Sequence, residues 1–159
     1  MNYLLFGGTQ AVGKSNAIYR LALWLKNKKN FKVLAGILPA SFSDFSVIMS
    51  GLDKNGNEII VIINAATDTE ELIDRFKKFM TDHNFKYHAV ISSIRDKSYD
   101  LRQYFITTFN LSKTKDVIAE IPLAKINKNG NNYDDRFKWY EEQIDELAIY
   151  LLANNPFNI

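Results

Sequence analysis

Residues 8–15 read Gly-Thr-Gln-Ala-Val-Gly-Lys-Ser and match the pattern G-x-x-x-x-G-K-[ST] at every fixed position. An apolar run at residues 2–6 stops just before this stretch, as a buried parallel strand does where it meets a turn. After the stretch, apolar residues recur at helical spacing: Ile18, Leu21, Ala22 and Leu25. The sequence therefore predicts a strand, a tight turn and a helix that begins near Ser15. We call residues 8–15 the glycine loop.

The residue types in the glycine loop suit an anion. Gly8 and Gly13 lack a Cβ, so the backbone can turn tightly and bring its N–H groups against phosphate oxygens. The helix that starts near Ser15 directs the positive end of its dipole and its unpaired N–H groups at the same place. Lys14 supplies an ammonium for the β- and γ-phosphates, and the Ser15 hydroxyl is a candidate ligand for Mg²⁺.

On these residues the chain resembles the P-loop NTPase superfamily, with the glycine loop as its Walker A element. The resemblance implies a nucleoside triphosphate, ATP or GTP, bound with Mg²⁺, and either cleavage or transfer at the γ-phosphate or conformational switching. No base-reading motif separates adenine from guanine, so ATP is the default. The nucleotide-binding residues that the resemblance implies are Gly8, Thr9, Gln10, Ala11, Val12, Gly13, Lys14, Ser15 and Asn16.

A carboxylate on the metal side of such a site is harder to place, because no predicted strand ends directly in Asp. The best candidate is Asp68, which follows the apolar run at residues 59–63. In small GTPases and related P-loop proteins, an acidic motif follows the second arm of a hairpin in the same way. By that resemblance Asp68 would hold Mg²⁺ through water, or Asp68 and Thr67 would sense the γ-phosphate. A compatible alternative is that both residues cap the next helix, since Glu70 and Glu71 stand three residues later.

A second candidate is the stretch Ser92-Ser-Ile-Arg-Asp96 at the end of a predicted parallel strand, where open α/β sheets bind ligands. Arg95 suits the charge on a transferring phosphoryl group, as an arginine finger does, and Asp96 is a candidate for a displaced metal ligand. The alternative is a solvated loop pair. Only the Asp matches the guanine-specifying pattern N-K-x-D, so the stretch does not support guanine specificity. The candidate catalytic residues are Lys14, Asp68 and Arg95, and the candidate metal ligands are Ser15 and Asp68.

The rest of the chain predicts strands that alternate with helices. The further predicted strands lie at residues 31–38, 45–52, 58–63, 87–93 and 117–121. Asn55-Gly56 is a tight-turn signal that joins the second and third of these runs into an antiparallel hairpin, whose second arm is apolar on both faces and therefore central. The pattern predicts one α/β domain over residues 1–159. We expect a three-layer α/β/α P-loop NTPase fold, its sheet mostly parallel with the hairpin as an antiparallel edge.

Three further helices are predicted, one of them short, at residues 98–109. The helix after the hairpin carries an apolar stripe of Leu72, Phe76, Phe79 and Met80. The last helix follows a polar loop at residues 125–132. Its predicted core face is Phe137, Tyr140, Ile144, Leu147 and Leu151, and its predicted solvent face is Glu141, Glu142, Asp145 and Glu146.

Composition narrows the function classes. The chain has 159 residues with 20 basic and 18 acidic side chains, a balance too even to argue for a nucleic-acid partner. The absence of Cys excludes a disulfide framework, a thiolate metal site and cysteine catalysis. No apolar run is long enough to span a membrane, and residues 1–7 do not resemble a signal peptide. We therefore expect a cytoplasmic protein without a membrane partner.

Three functions fit this pattern. The first is a slow or partner-activated NTPase, and the second is a kinase that transfers the γ-phosphate to a small-molecule acceptor. A kinase lid is usually rich in Arg, and the five Arg residues here are never clustered in the sequence. The third is a non-catalytic nucleotide-binding module that interacts with a protein partner. The Ser-rich stretch at residues 41–46 lies where lids or switch loops often sit, although an ordinary polar connection explains it as well.

Overall fold

The computed structural model describes residues 1–126 and 132–159. Within this part, the strands are β1 (Asn2–Gly8), β2 (Lys32–Gly36), β3 (Ser46–Leu52), β4 (Glu58–Asn64), β5 (Ala89–Arg95) and β6 (Val117–Pro122). The helices are α1 (Lys14–Lys28), α2 (Glu70–His83), α3 (Asp100–Thr108) and α4 (Tyr133–Ala153). The predicted polar loop at residues 125–132 falls partly outside the described residues, which resume at residue 132.

The strands form one sheet in the order β2-β3-β4-β5-β1-β6. β1 pairs in parallel with β5 and β6, and β4 pairs in parallel with β5. β3 pairs antiparallel with β2 and with β4. The prediction of an α/β chain with a mostly parallel sheet is confirmed, and so is the central position of β4. The prediction that the hairpin forms the edge is wrong, because β2 covers the outer side of β3 and becomes the edge strand itself.

Two apolar cores lie on opposite faces of this sheet. Alternate side chains of β1 divide between them: Leu4 and Phe6 pack in one core, while Tyr3 and Leu5 pack in the other. Helices α1 and α4 supply the first core, and α2 and α3 supply the second. The arrangement is compatible with a three-layer α/β/α fold. β1 is buried on both faces, which explains its unbroken apolar run.

The start of α2 differs from the prediction. Its N-cap is Thr69, whose hydroxyl accepts a hydrogen bond from the Leu72 backbone N–H at 3.2 Å. The predicted caps, Thr67 and Asp68, are wrong, because both precede the residue at which the chain turns into the helix. This result leaves the Thr67 hydroxyl and the Asp68 carboxylate to other partners.

The core face of α4 agrees only in part with the prediction: Tyr140, Ile144 and Leu151 pack in or against the core as predicted. Its buried residues are Ile144, Ala148 and Leu152, whereas Leu147 is 42% exposed. Asp145 and Glu141, predicted to face water, are half-buried and form ion pairs with Arg20 of α1. The ion pairs with Arg20 explain why Asp145 and Glu141 do not face water. In the described part of the chain, no helix combines the length and apolar character of a membrane span.

Candidate functional site

The glycine loop connects the end of β1 to the start of α1, as its sequence predicts. Gly8 has φ +146° and Gly13 has φ +92°, both in the region that favours glycine. A Cβ at Gly8 would lie 2.8 Å from the Leu123 carbonyl oxygen, so the backbones pack too closely there for a side chain. Ala11, between the two glycines, also has a positive φ of 60°. The loop is therefore a tight bend whose conformation depends on both glycines.

The N-terminus of α1 lacks the usual intramolecular partners. Gly13 is the N-cap, so no side chain caps the helix, and the first turn holds no acidic residue. α2 differs in both respects, because Thr69 caps it and Glu70 and Glu71 stand in its first turn. The first N–H groups of a helix need an acceptor, and the dipole makes an anion the favoured one. The described part of the chain supplies no such acceptor side chain to α1.

Lys14 is folded back onto the loop. Its Nζ donates hydrogen bonds to the carbonyl oxygens of Gly8 at 3.0 Å and Thr9 at 2.6 Å, and only 6% of the residue is exposed. Burial lowers the pKa of the Lys14 ammonium, the nearby charge of Asp68 opposes that shift, and the charge of Arg95 adds to it. Lys14, Asp68 and Arg95 thus lie within electrostatic reach of one another, although they come from three separate segments.

The Ser15 hydroxyl joins the start of α1 to the segment after β4. Its Oγ donates to the Ala65 carbonyl oxygen at 2.8 Å. The Ser93 hydroxyl at the end of β5 donates to the same carbonyl at 3.2 Å and lies 2.7 Å from the Thr67 hydroxyl. These contacts hold the turn after β4 in place. They also bury Thr67, which does not line the cleft described below.

Arg95 is a buried cation with incomplete pairing. It lies in the last position of β5, and only 8% of the residue is exposed, so it is not the solvated loop residue of the alternative interpretation. Its Nη1 lies 3.3 Å from Asp68 Oδ1, within ion-pair range, yet Nη1 and Nε have no hydrogen-bond partner among the described residues. The Tyr99 ring lies 5.1 Å from the guanidinium carbon. The Nε and Nη1 groups of Arg95 are therefore buried donors without a hydrogen-bond acceptor in the described part of the chain.

A second ion pair supports the base of this arrangement. Arg102 donates to both carboxylate oxygens of Glu120, at 2.9 and 2.6 Å, and to the Arg95 backbone carbonyl at 3.0 Å. Glu120 fills the space beside Gly7, where an added Cβ would lie 2.1 Å from its Oε1. A side chain at Gly7 would therefore displace the Glu120 carboxylate from its position beside Arg102. Neither Arg95 nor Asp96 is part of the lining of the cleft described next.

An open cleft of about 1180 Å³ lies over the glycine loop. The predicted residues that line it are Gln10, Ala11, Val12, Gly13, Lys14, Ser15, Asn16 and Asp68. Gly8 and Thr9 are not part of its wall and contribute the carbonyl oxygens that hold Lys14. Among the described residues of the lining, Asp68 is the one carboxylate, and 48% of its side chain is exposed. The structure therefore brings the glycine loop and Asp68 to one cavity.

The sequence interpretation did not predict the residues of the other walls of the cleft, although it named the stretch at residues 41–46, which contains Phe42, as a candidate lid. The residues of these walls are Phe42 on one side and Ala124, Lys125, Ile126, Tyr133 and Phe137 on the other. Phe137 was expected in the core, because its position in the helical pattern fits an inward face. The one signal is that the loops before β3 and α4 follow β2 and β6, which run in the same direction, so both loops leave the same edge of the sheet.

In the described part of the chain, no three His, Asp or Glu side chains converge as ligands for a metal ion. A magnesium ion bound together with phosphate oxygens needs only one or two protein ligands, so this observation concerns all-protein metal sites. No known family model, curated protein or solved structure matches the chain.

Proposed function

We propose that this chain is a P-loop protein that binds a nucleoside triphosphate, ATP or GTP, together with Mg²⁺, in the cleft over the glycine loop. The observation that carries the proposal is the uncapped N-terminus of α1 behind a bend with Gly8 and Gly13 at positive φ. A polyphosphate supplies the acceptors that the first N–H groups of α1 lack. The adjacent Lys14 supplies a cation of opposite charge.

Lys14 serves as the mobile part of this site. The Lys14 ammonium donates hydrogen bonds to two carbonyl oxygens of the loop instead of to water. Burial lowers the pKa of this ammonium. A phosphate oxygen is a stronger acceptor than a neutral carbonyl, because the hydrogen bond is then charged on both sides. Binding of a triphosphate therefore favours a rotation of the Lys14 side chain toward the cleft, which Lys14 already lines.

Ser15 and Asp68 suit a magnesium ion in the same cleft. Both are oxygen ligands, and both line the cavity beside Lys14. The Ser15 hydroxyl donates a hydrogen bond to the Ala65 carbonyl oxygen, so the lone pairs of the hydroxyl oxygen are available to a cation. Mg²⁺ bound with the triphosphate would offset phosphate charge there. Asp68 can then bind the ion directly or through water, because its side chain is half exposed.

We propose slow hydrolysis of the triphosphate by the isolated chain. The charge of Arg95 suits a transferring phosphoryl group, but its guanidinium is paired with Asp68 and packed under Tyr99. Catalytic use of Arg95 requires the ion pair between Arg95 and Asp68 to separate. A partner that separates this pair would accelerate turnover.

The test is calorimetric titration of the purified chain with ATP, in Mg²⁺ and in EDTA. Lys14→Ala is expected to weaken Mg²⁺–ATP binding about 10- to 100-fold, the size of a lost charged hydrogen bond. Lys26→Ala is the matched control, because Lys26 is an exposed lysine on the same helix and does not line the cleft. Equal affinity in the wild type and both variants, or no binding by the wild type, would refute the proposal.

A further inference from the structure

The cleft over the glycine loop has an aromatic end that the phosphate-binding residues do not explain. We define the aromatic end as Phe42, Tyr133 and Phe137. These residues come from the loop before β3 and from the first two turns of α4, and they face the cavity together with Ile126. A triphosphate has no flat or apolar group that could pack on aromatic rings. This part of the cleft therefore suits a different portion of a ligand.

Phe42 is positioned by its neighbours although 47% of it is exposed. Its ring meets the edge of the Tyr19 ring, with 6.0 Å between the centroids. The Tyr19 hydroxyl donates to the Pro39 carbonyl oxygen at 3.1 Å, which ties the loop before β3 to α1. Tyr19 thus supports one side of the Phe42 ring, and Phe42 is left with an open face toward the cleft.

The opposite wall is built from two rings on successive turns of α4. Tyr133 and Phe137 stack with 5.6 Å between their centroids and 17° between their planes. Phe137 also borders a small hollow with Gly13 and Ala17, which places it beside the first turn of α1. The phosphate-binding end and the aromatic end of the cleft therefore adjoin each other at the start of α1.

Building on the function proposed above, we infer that the aromatic end holds the base of a purine nucleoside triphosphate by stacking. A planar base is the part of such a ligand that matches flat rings, and its phosphates would occupy the other end of the same cleft. Stacking does not discriminate between bases by their edges, because every base has a π-face. In the described lining the one carboxylate, Asp68, is at the Lys14 end, which leaves none to read the guanine edge.

Two consequences separate this inference from phosphate binding alone. ATP and GTP should bind within about tenfold of each other, and both should bind more tightly than inorganic tripolyphosphate with Mg²⁺. CTP should bind less tightly than ATP, because a pyrimidine offers a smaller stacking area. Tripolyphosphate has no base, so its affinity measures the phosphate-binding end by itself.

The experiment is calorimetric titration of these four ligands, with Mg²⁺, into the wild type, Phe137→Ala, Phe42→Ala and Trp139→Ala. Trp139 is the control, since it is an exposed aromatic residue on α4 that does not line the cleft. We expect Phe137→Ala and Phe42→Ala to weaken ATP binding roughly 5- to 100-fold. Tripolyphosphate affinity should stay unchanged, which also shows that each variant is folded at the glycine loop.

The outcomes are distinguishable. Loss of ATP affinity with intact tripolyphosphate affinity supports the aromatic end as a base site. Unchanged ATP affinity in Phe137→Ala and Phe42→Ala, with tripolyphosphate still bound, overturns this inference and leaves the proposed function standing. If the wild type binds neither tripolyphosphate nor ATP, the proposed function fails and the inference fails with it.

Discussion

Gly13 carries two requirements at one position. Its φ of +92° is a conformation that L side chains rarely adopt, and it is also the residue from which α1 starts without a side-chain cap. The space around it is open, since a Cβ at this position would meet no heavy atom within 4 Å. Backbone conformation, not packing, therefore explains a glycine there. The conformational role of Gly13 can therefore be tested by adding a single methyl group, which would cause no clash.

Gly13→Ala should lower the free energy of unfolding by about 1–2 kcal/mol, because alanine is sterically disfavoured at this φ. Gly56→Ala is the matched control: Gly56 has φ +81° in the β3–β4 turn, with equally open space. Urea denaturation should give similar losses for both variants. Only Gly13→Ala should also weaken Mg²⁺–ATP binding, and an equal loss of affinity in both variants would contradict a local role.

Asp68 is the residue that links the metal hypothesis to the ion pair with Arg95. Asp68→Asn should reduce the gain in ATP affinity that Mg²⁺ provides, by about tenfold, because an amide is a poorer partner for the ion. Asp96→Asn is the control, since that nearby carboxylate does not line the cleft. Titrations with and without Mg²⁺ measure the ratio. The same ratio in the wild type and Asp68→Asn would exclude Asp68 from the metal side.

At the scale of secondary structure, the strand–loop–helix unit at residues 2–28 could be predicted because all of its determinants are contiguous. The apolar run, the two glycines and the helical spacing each act on the residues that carry them. The N-cap of α2 was predicted wrongly because Thr67 and Thr69 are both suitable capping residues in the sequence. The sequence does not show that Thr67 bonds to Ser93 of a distant strand instead. The face of α4 could be predicted only in part, because periodicity finds an apolar stripe but not the contact of Arg20 with Asp145.

Arg20 joins α1 to α4 across the core that lies under the cleft. Its Nε and Nη2 bind both oxygens of Asp145, at 2.6 and 3.0 Å, and Glu141 binds the same guanidinium. Arg20→Ala should lower the free energy of unfolding by about 1 kcal/mol in urea titrations at low salt. Arg75→Ala, which removes an exposed pair with Glu71, should change it little. Equal effects would mean that the α1–α4 pair adds nothing beyond a surface ion pair.

At the scale of the whole molecule, the sheet order determines which distant residues meet. β5 lies between β1 and β4, so the ends of these three parallel strands present the glycine loop, Arg95 and the segment with Asp68 at one edge. The sequence indicated each strand end but not the order. Phe42 and Phe137 were not predicted to line one cavity for the same reason: they are distant in sequence, and only the packed fold brings them together.

The buried Tyr3 of β1 predicts how the stability of the protein responds to alkali. Burial, with a further contribution from Asp116, raises the pKa of Tyr3 in β1 to about 12. Above the ordinary value of 10.0, the unfolded chain loses the Tyr3 proton while the folded chain keeps it, so stability falls as pH rises toward 12. At about pH 11 the loss is about 1.4 kcal/mol. Tyr3→Phe should lack this part of the decline between about pH 9 and 11, and parallel urea-derived curves for the two proteins would contradict it.

The most direct measurement is a ¹H–¹⁵N correlation spectrum of the 18.3 kDa chain during titration with Mg²⁺ and tripolyphosphate. Binding at the uncapped start of α1 predicts the largest amide shifts at Gly13, Lys14, Ser15 and Asn16, with the β3–β4 turn unchanged. A spectrum that stays unchanged at saturating ligand, or shifts confined to residues outside the glycine loop and its cleft, would contradict phosphate binding at this helix start.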